Sequence, residues 1–95
     1  MPQFLFTTNM YSLPLIKIQG TGYNAIQTTN ATASGSRSTA MGGYTTASGY
    51  SSTAMGYSTE ASGDSSTAMG YYPTASGDSS TAMGRYTTAS GDYST

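Results

Sequence analysis

The chain has 95 residues, a formal net charge of −1, 7% charged residues, and neither histidine nor cysteine. That length allows one domain at most, and the missing residue types exclude imidazole and thiol chemistry, thiolate metal sites and disulfides. With so few cations there is no basic patch for a phosphate backbone, so nucleic-acid binding is not expected.

In chain order the first segment is residues 1–18, "MPQFLFTTNMYSLPLIKI". It mixes apolar and polar residues and holds Pro2 and Pro14. It lacks the basic start, long apolar run and small-residue cleavage site of a signal peptide. It is also too short and too broken to span a bilayer. It reads as a flanking strand or connector. Over the whole chain, 33 residues are Ser or Thr and 12 are Gly, a composition that alone would describe a disordered linker. The order of the residues argues otherwise.

From residue 19 onward the chain repeats. Ala-x-Gly recurs every seven residues from Ala33/Gly35 to Ala89/Gly91. "ASG" begins at Ala33, Ala47, Ala61, Ala75 and Ala89, and "AMG" at Ala40, Ala54, Ala68 and Ala82, so the true period is fourteen. "GYNAIQ", with Ala25-Ile26 in place of Ala-Met, reads as a degenerate first turn, and the repeat is regular from residue 33. A coiled coil is rejected. Each heptad carries a Gly, Ser and Thr make poor helix interiors, and the Leu/Ile seam is missing. Short runs closed by Gly look instead like strands bounded by turns. Two strands per fourteen residues describe one coil of an all-β, parallel β-roll (a β-solenoid), with coils stacked roughly 4.8 Å apart.

Alternation along a strand then sorts the side chains. Ala33, Ala40, Ala47, Ala54, Ala61, Ala68, Ala75, Ala82 and Ala89 are expected in the coil interior, where the two strands come too close for anything larger. Gly is expected in the turns, where φ > 0 or close approach is needed. One outer face carries Thr46, Glu60, Thr74 and Thr88 beside Ser48, Ser62, Ser76 and Ser90, a polar surface and a candidate contact face. The other carries Thr39, Thr53, Thr67 and Thr81 beside Met41, Met55, Met69 and Met83, an apolar stripe. Each Met left in water forfeits roughly 1.5–3 kcal/mol of burial, and a continuous apolar stripe usually marks an interface. These Thr and Met residues are therefore the expected subunit interface, joining copies of the chain. Placing Met inside instead would leave Ala outside on one strand type and inside on the other.

The remaining polar residues carry little chemistry. Asp64, Asp78 and Asp92 share one repeat slot, held by Ser36 and Tyr50 in earlier coils. Stacked carboxylates suggest calcium, but calcium β-rolls use a nine-residue repeat, so a solvated turn is the better reading. Tyr44, Tyr57, Tyr71, Tyr72 and Tyr86 cluster at turns, where they form an adhesive edge or cover turns and the subunit seam. No serine has a base, and the glycines match no phosphate-binding fingerprint. "NAT" at Asn30 is a glycosylation acceptor only in a secretory host. No enzyme activity, cofactor or metal is expected.

"SSTAMG" and "TASGDSS" resemble the head repeats of trimeric autotransporter adhesins, the YadA-like or haemagglutinin-type head, whose repeat reads approximately Ser-Val-Ala-Ile-Gly. Thr39 and Met41 stand at its Val and Ile positions, and Ala40 and Gly42 match directly. The copies at Thr53-Ala54-Met55-Gly56, Thr67-Ala68-Met69-Gly70 and Thr81-Ala82-Met83-Gly84 do the same, and the likeness covers residues 30–95. It implies a left-handed roll, a homotrimer, and display at a bacterial outer membrane as part of a longer chain, with adhesion to matrix or host surface molecules. A phage or virion fibre is the related setting. Thr in place of the usual Val makes the proposed axis wetter. The chain stops partway through a repeat, which favours a piece of a longer protein and leaves an open ladder edge. The alternative function is ice binding by the flat Thr/Ser array, a role in which Glu60 interrupts the array and the methionines have no part.

Overall fold

A computed structural model describes residues 16–17 and 20–95. Most of the expected flank, residues 1–15 and 18, lies outside the described residues. Strand β1 is Ile16–Lys17 and β2 is Ile26–Thr28. Short and long strands then alternate: β3 (Thr32–Ala33), β4 (Thr39–Gly43), β5 (Thr46–Ala47), β6 (Thr53–Tyr57), β7 (Glu60–Ala61), β8 (Thr67–Tyr71), β9 (Thr74–Ala75), β10 (Thr81–Arg85) and β11 (Thr88–Ala89). No helix occurs among the described residues. The short strands form a five-stranded sheet in the order β11-β9-β7-β5-β3, and the long strands a six-stranded sheet in the order β10-β8-β6-β4-β2-β1. Only the β1–β2 pair is antiparallel; the others are parallel. The chain is a β-solenoid of 14-residue coils.

Register follows the sequence period. Thr53, Ala54, Met55 and Gly56 lie directly over Thr67, Ala68, Met69 and Gly70. Each coil is tied in both directions along the stack. Strand amides donate forward, as in Thr53 N–H to the Ser66 carbonyl at 2.9 Å, and corner amides donate backward, as in Ser79 N–H to the Asp64 carbonyl at 2.7 Å. The same residue types recur in most rungs, and a one-residue slip would exchange inward and outward faces, which holds the register.

The interior is made of small side chains. Ala33, Ala40, Ala47, Ala54, Ala61, Ala68 and Ala75 are fully buried, and Ala82 and Ala89 nearly so. Two further columns fill the space. Ser38, Ser52 and Ser80 are buried and donate their hydroxyls to the carbonyls of Gly35, Gly49 and Gly77 at 2.7, 2.7 and 2.6 Å. Thr45, Thr59 and Pro73 occupy the matching position ahead of the short strands. The smallest principal extent of the fold, 12 Å, is the thickness that such an interior permits.

The glycines meet the expectation of turns and close approach, with Gly35, Gly49, Gly63 and Gly77 opening the turns after the short strands, but the left-handed corners themselves are taken by other residues. Besides Asn24 in the first coil, the corner residues with φ near +60° are Arg37, Tyr44, Ser51, Ser58, Ser65, Tyr72, Ser79, Tyr86 and Tyr93, one every seven residues and none a glycine. The backward hydrogen bonds of the ladder hold these residues in the left-handed region despite its cost. Glycine is used instead where coils stack most closely. At Gly63 a Cβ would lie far inside contact with the Gly77 carbonyl. Gly56 lies within β6 at φ +123°, and a Cβ there would strike Gly70.

The first coil is also offset by two residues from the expected match of Ala25-Ile26 to Ala40-Met41. Ile26 pairs with Thr39, and Gln27 with Ala40, so Gln27 takes the slot of Ala40, while Ala25 is buried two residues earlier. Gln27 is 7% exposed, and its Oε1 accepts from Ala33 N–H at 3.0 Å. The amide reaches a backbone donor in the next strand, so a polar side chain can stand in the alanine column.

Candidate functional site

With small residues inside, any function falls to the outward columns of the coil and its corners. On the long strands Met41, Met55, Met69 and Met83 form one column in register. The first three are half-buried, and Met83 is 55% exposed. Thr39, Thr53, Thr67 and Thr81 form the flanking column, each half-buried. A two-residue alternation therefore brings the two columns together on one sheet face.

The short strands present the opposite face. Thr46 and Thr74 are half-buried; Glu60, Thr88, Ser48, Ser62, Ser76 and Ser90 are exposed. Glu60 stacks in register between Thr46 and Thr74, so a carboxylate interrupts the hydroxyl row.

The two corners differ in chemistry. At the corner after the short strands, the Asp column serves the backbone. Asp64 Oδ1 accepts from Tyr50 N–H at 3.1 Å, Asp78 Oδ1 from Asp64 N–H at 3.0 Å, and Asp92 Oδ1 from Asp78 N–H at 3.0 Å. Each carboxylate thus caps an amide that no carbonyl of the ladder reaches. Arg37 lies at the same corner, 5.7 Å from the Tyr50 ring centroid, and its Nη1 donates to the Tyr50 hydroxyl. Among the described residues no group of three or more His, Cys, Asp or Glu is disposed to hold a metal ion.

At the other corner the tyrosines assemble into a ridge. Tyr57 and Tyr71 stack with centroids 5.6 Å apart and planes 14° apart, and Tyr72 and Tyr86 stack at 5.4 Å and 14°. Tyr71 meets Tyr72 edge to face at 4.7 Å, and Tyr44 meets Tyr57 at 5.8 Å. Arg85 lies over Tyr71 and Tyr86 at 5.6 and 5.1 Å, within cation–π range. Gly43 occupies the slot below Tyr57, and a Cβ there would crowd the Tyr57 ring. Desolvation by the surrounding rings, then the neighbouring Tyr86, Tyr72 and Tyr57 phenols, raise the Tyr71 pKa above its ordinary value. Spacing in the sequence placed these tyrosines at turns; their joining into one ridge follows from two adjacent columns, 43/57/71/85 and 44/58/72/86, which a linear list does not display.

Stacked coils with a small-residue interior and outer columns in register define a solenoid repeat module. The family model "YadA head domain repeat (2 copies)" matches residues 29–45, 47–72 and 75–95. The chain belongs to the YadA head domain repeat family. No curated protein and no solved structure matches it.

Proposed function

We propose that this chain is a surface-displayed adhesion module that works as a left-handed homotrimeric roll, with the Thr39/Met41 face of each copy turned toward a common axis. The observation that carries this reading is the methionine column, Met41 over Met55 over Met69 over Met83, unbroken on a parallel sheet. A single chain leaves it partly in water, and a column of thioethers adapts readily to a matching column. Membership in the YadA head repeat family supports the same arrangement. The short-strand face with Thr46, Ser48, Glu60, Ser62, Thr74, Ser76, Thr88 and Ser90 then points outward, toward matrix or host surface molecules. The setting is the exterior of a bacterial cell, with the module carried on a longer chain, or a virion fibre. Glu60 within the Thr/Ser array disfavours ice binding, because a charged side chain disrupts a flat hydroxyl lattice.

Light scattering on the full chain and on a Met41/Met55/Met69/Met83→Ser variant tests the proposal. A trimer mass that falls to that of one chain in the variant is the expected result. A folded monomer that the substitutions leave unchanged would sink the trimer and its axis.

A further inference from the structure

The tyrosine ridge is the largest exposed aromatic cluster among the described residues, and the methionine column does not account for its ring-to-ring packing. Tyr44, Tyr57, Tyr71, Tyr72 and Tyr86 are linked ring to ring at centroid distances of 4.7–5.9 Å. Their exposures in the single chain run from 41% for Tyr71 to 66% for Tyr44, so none of the rings is enclosed by its own coil stack. The two near-parallel stacks each join one coil to the next, Tyr57 to Tyr71 and Tyr72 to Tyr86. Rings already in contact on a rigid ladder need little movement to react with each other. The chain also has no cysteine, so a disulfide cannot staple its coils.

We propose that the ridge is an oxidative stapling site, at which a haem-peroxidase-class oxidant and hydrogen peroxide couple Tyr57 to Tyr71 and Tyr72 to Tyr86 as dityrosine. Each phenol gives up one electron to the oxidant and its hydroxyl proton to water, leaving a phenoxyl radical. Two radicals join through a new carbon–carbon bond between ring positions ortho to oxygen. The ortho hydrogens then return to the oxygens as the rings regain aromaticity. Per link, one hydrogen peroxide is reduced to two waters, and the protein loses two hydrogens. Contact along the ridge lets a radical formed at Tyr44 pass to the stacked pairs. Each link closes a loop one coil long and so restricts the unfolded chain, as a disulfide would.

The test treats the full chain, at a concentration that keeps it folded and assembled, with a haem peroxidase and hydrogen peroxide, and tells links within a chain from links between chains by mass. Dityrosine fluorescence, a chain mass lower by two hydrogens per link, and cross-linked peptides joining 57 to 71 and 72 to 86 are expected. The melting temperature should rise with them. A Tyr57/Tyr71/Tyr72/Tyr86→Phe variant keeps the rings and loses the phenols, so its dityrosine yield and its thermal gain should fall away. A Tyr23/Tyr50/Tyr93→Phe variant, altered at the opposite corner, should keep both. Links mapping to Tyr23, Tyr50 or Tyr93, links only between chains, or no dityrosine under conditions that couple free tyrosine would each overturn the proposal. If the fourfold variant does not fold, the link positions in the unaltered chain decide the matter.

Discussion

At the scale of single residues, the interior is unusual for its hydroxyls. The Oγ1 atoms of Thr45, Thr59 and Thr87 are buried with no hydrogen-bond partner. A buried hydroxyl without a partner costs about 1–3 kcal/mol. Pro73 occupies the same column, which shows that an apolar side chain fits the slot. Thr59→Val should therefore stabilise the fold by about 1 kcal/mol, seen as a higher denaturation midpoint at unchanged slope; a loss of stability would mean that the hydroxyl is satisfied after all. The sequence exposed this column only in part. Alanine in a strict seven-residue slot is a plain signal for a tight interior, whereas Ser and Thr one slot before each strand look like surface by composition. Their burial follows from alternation carried two residues further, from Ala40 back to Ser38 and from Ala47 back to Thr45, and hydropathy conceals it. The Asp column shows the converse. Its periodicity was visible, yet its role as acceptor for Tyr50, Asp64 and Asp78 amides depends on a coil offset that only the stacked structure reveals.

Among the elements, the period of fourteen was enough to define two strands per coil and their parallel stacking, because identical residues recur at identical spacing. The strand ends were less legible. The long strands run on through Gly42, Gly56, Gly70 and Gly84 by one more residue, and the first three of these glycines let backbones of adjacent coils approach rather than turn. The left-handed corners fell to Ser, Tyr and Arg, residues with no intrinsic preference for them, because ladder hydrogen bonds outweigh local propensity there. The tyrosine ridge built on one set of corners makes the fold sensitive to alkali. Desolvation and neighbouring phenols raise the Tyr71 pKa in the folded state above the ordinary tyrosine value. The folded state thus holds the Tyr71 proton more tightly than the unfolded chain does. That contribution is fully present below about pH 10 and is lost as pH rises through the folded value. Chemical denaturation midpoints should fall across this alkaline range, and Tyr71→Phe should flatten the decline. An equally steep decline in the variant would assign the sensitivity to other groups.

For the whole molecule, the question is how so thin a rod stays folded. Ordering each residue costs about 1–2 kcal/mol of backbone entropy. The interior that opposes this cost is mostly alanine, serine and threonine, and the fold is only 12 Å across its thin axis. Small domains with such limited cores need a further source of stability. The backbone ladder supplies part of it, since each coil bonds both neighbours, but most of those bonds replace bonds to water. Burial of the methionine columns between chains would supply the rest. Folding and assembly are then one equilibrium, and stability depends on concentration. For a trimer, each tenfold dilution should cost about 1 kcal/mol per chain, or roughly 4–8 °C in melting temperature for a chain of this size. Thermal unfolding followed by circular dichroism over a dilution series measures this directly. The Met41/Met55/Met69/Met83→Ser variant should melt lower and without that dependence. A melting temperature that ignores dilution in the unaltered chain would show that one coil stack suffices alone, and the methionine column would then be free to face a different partner.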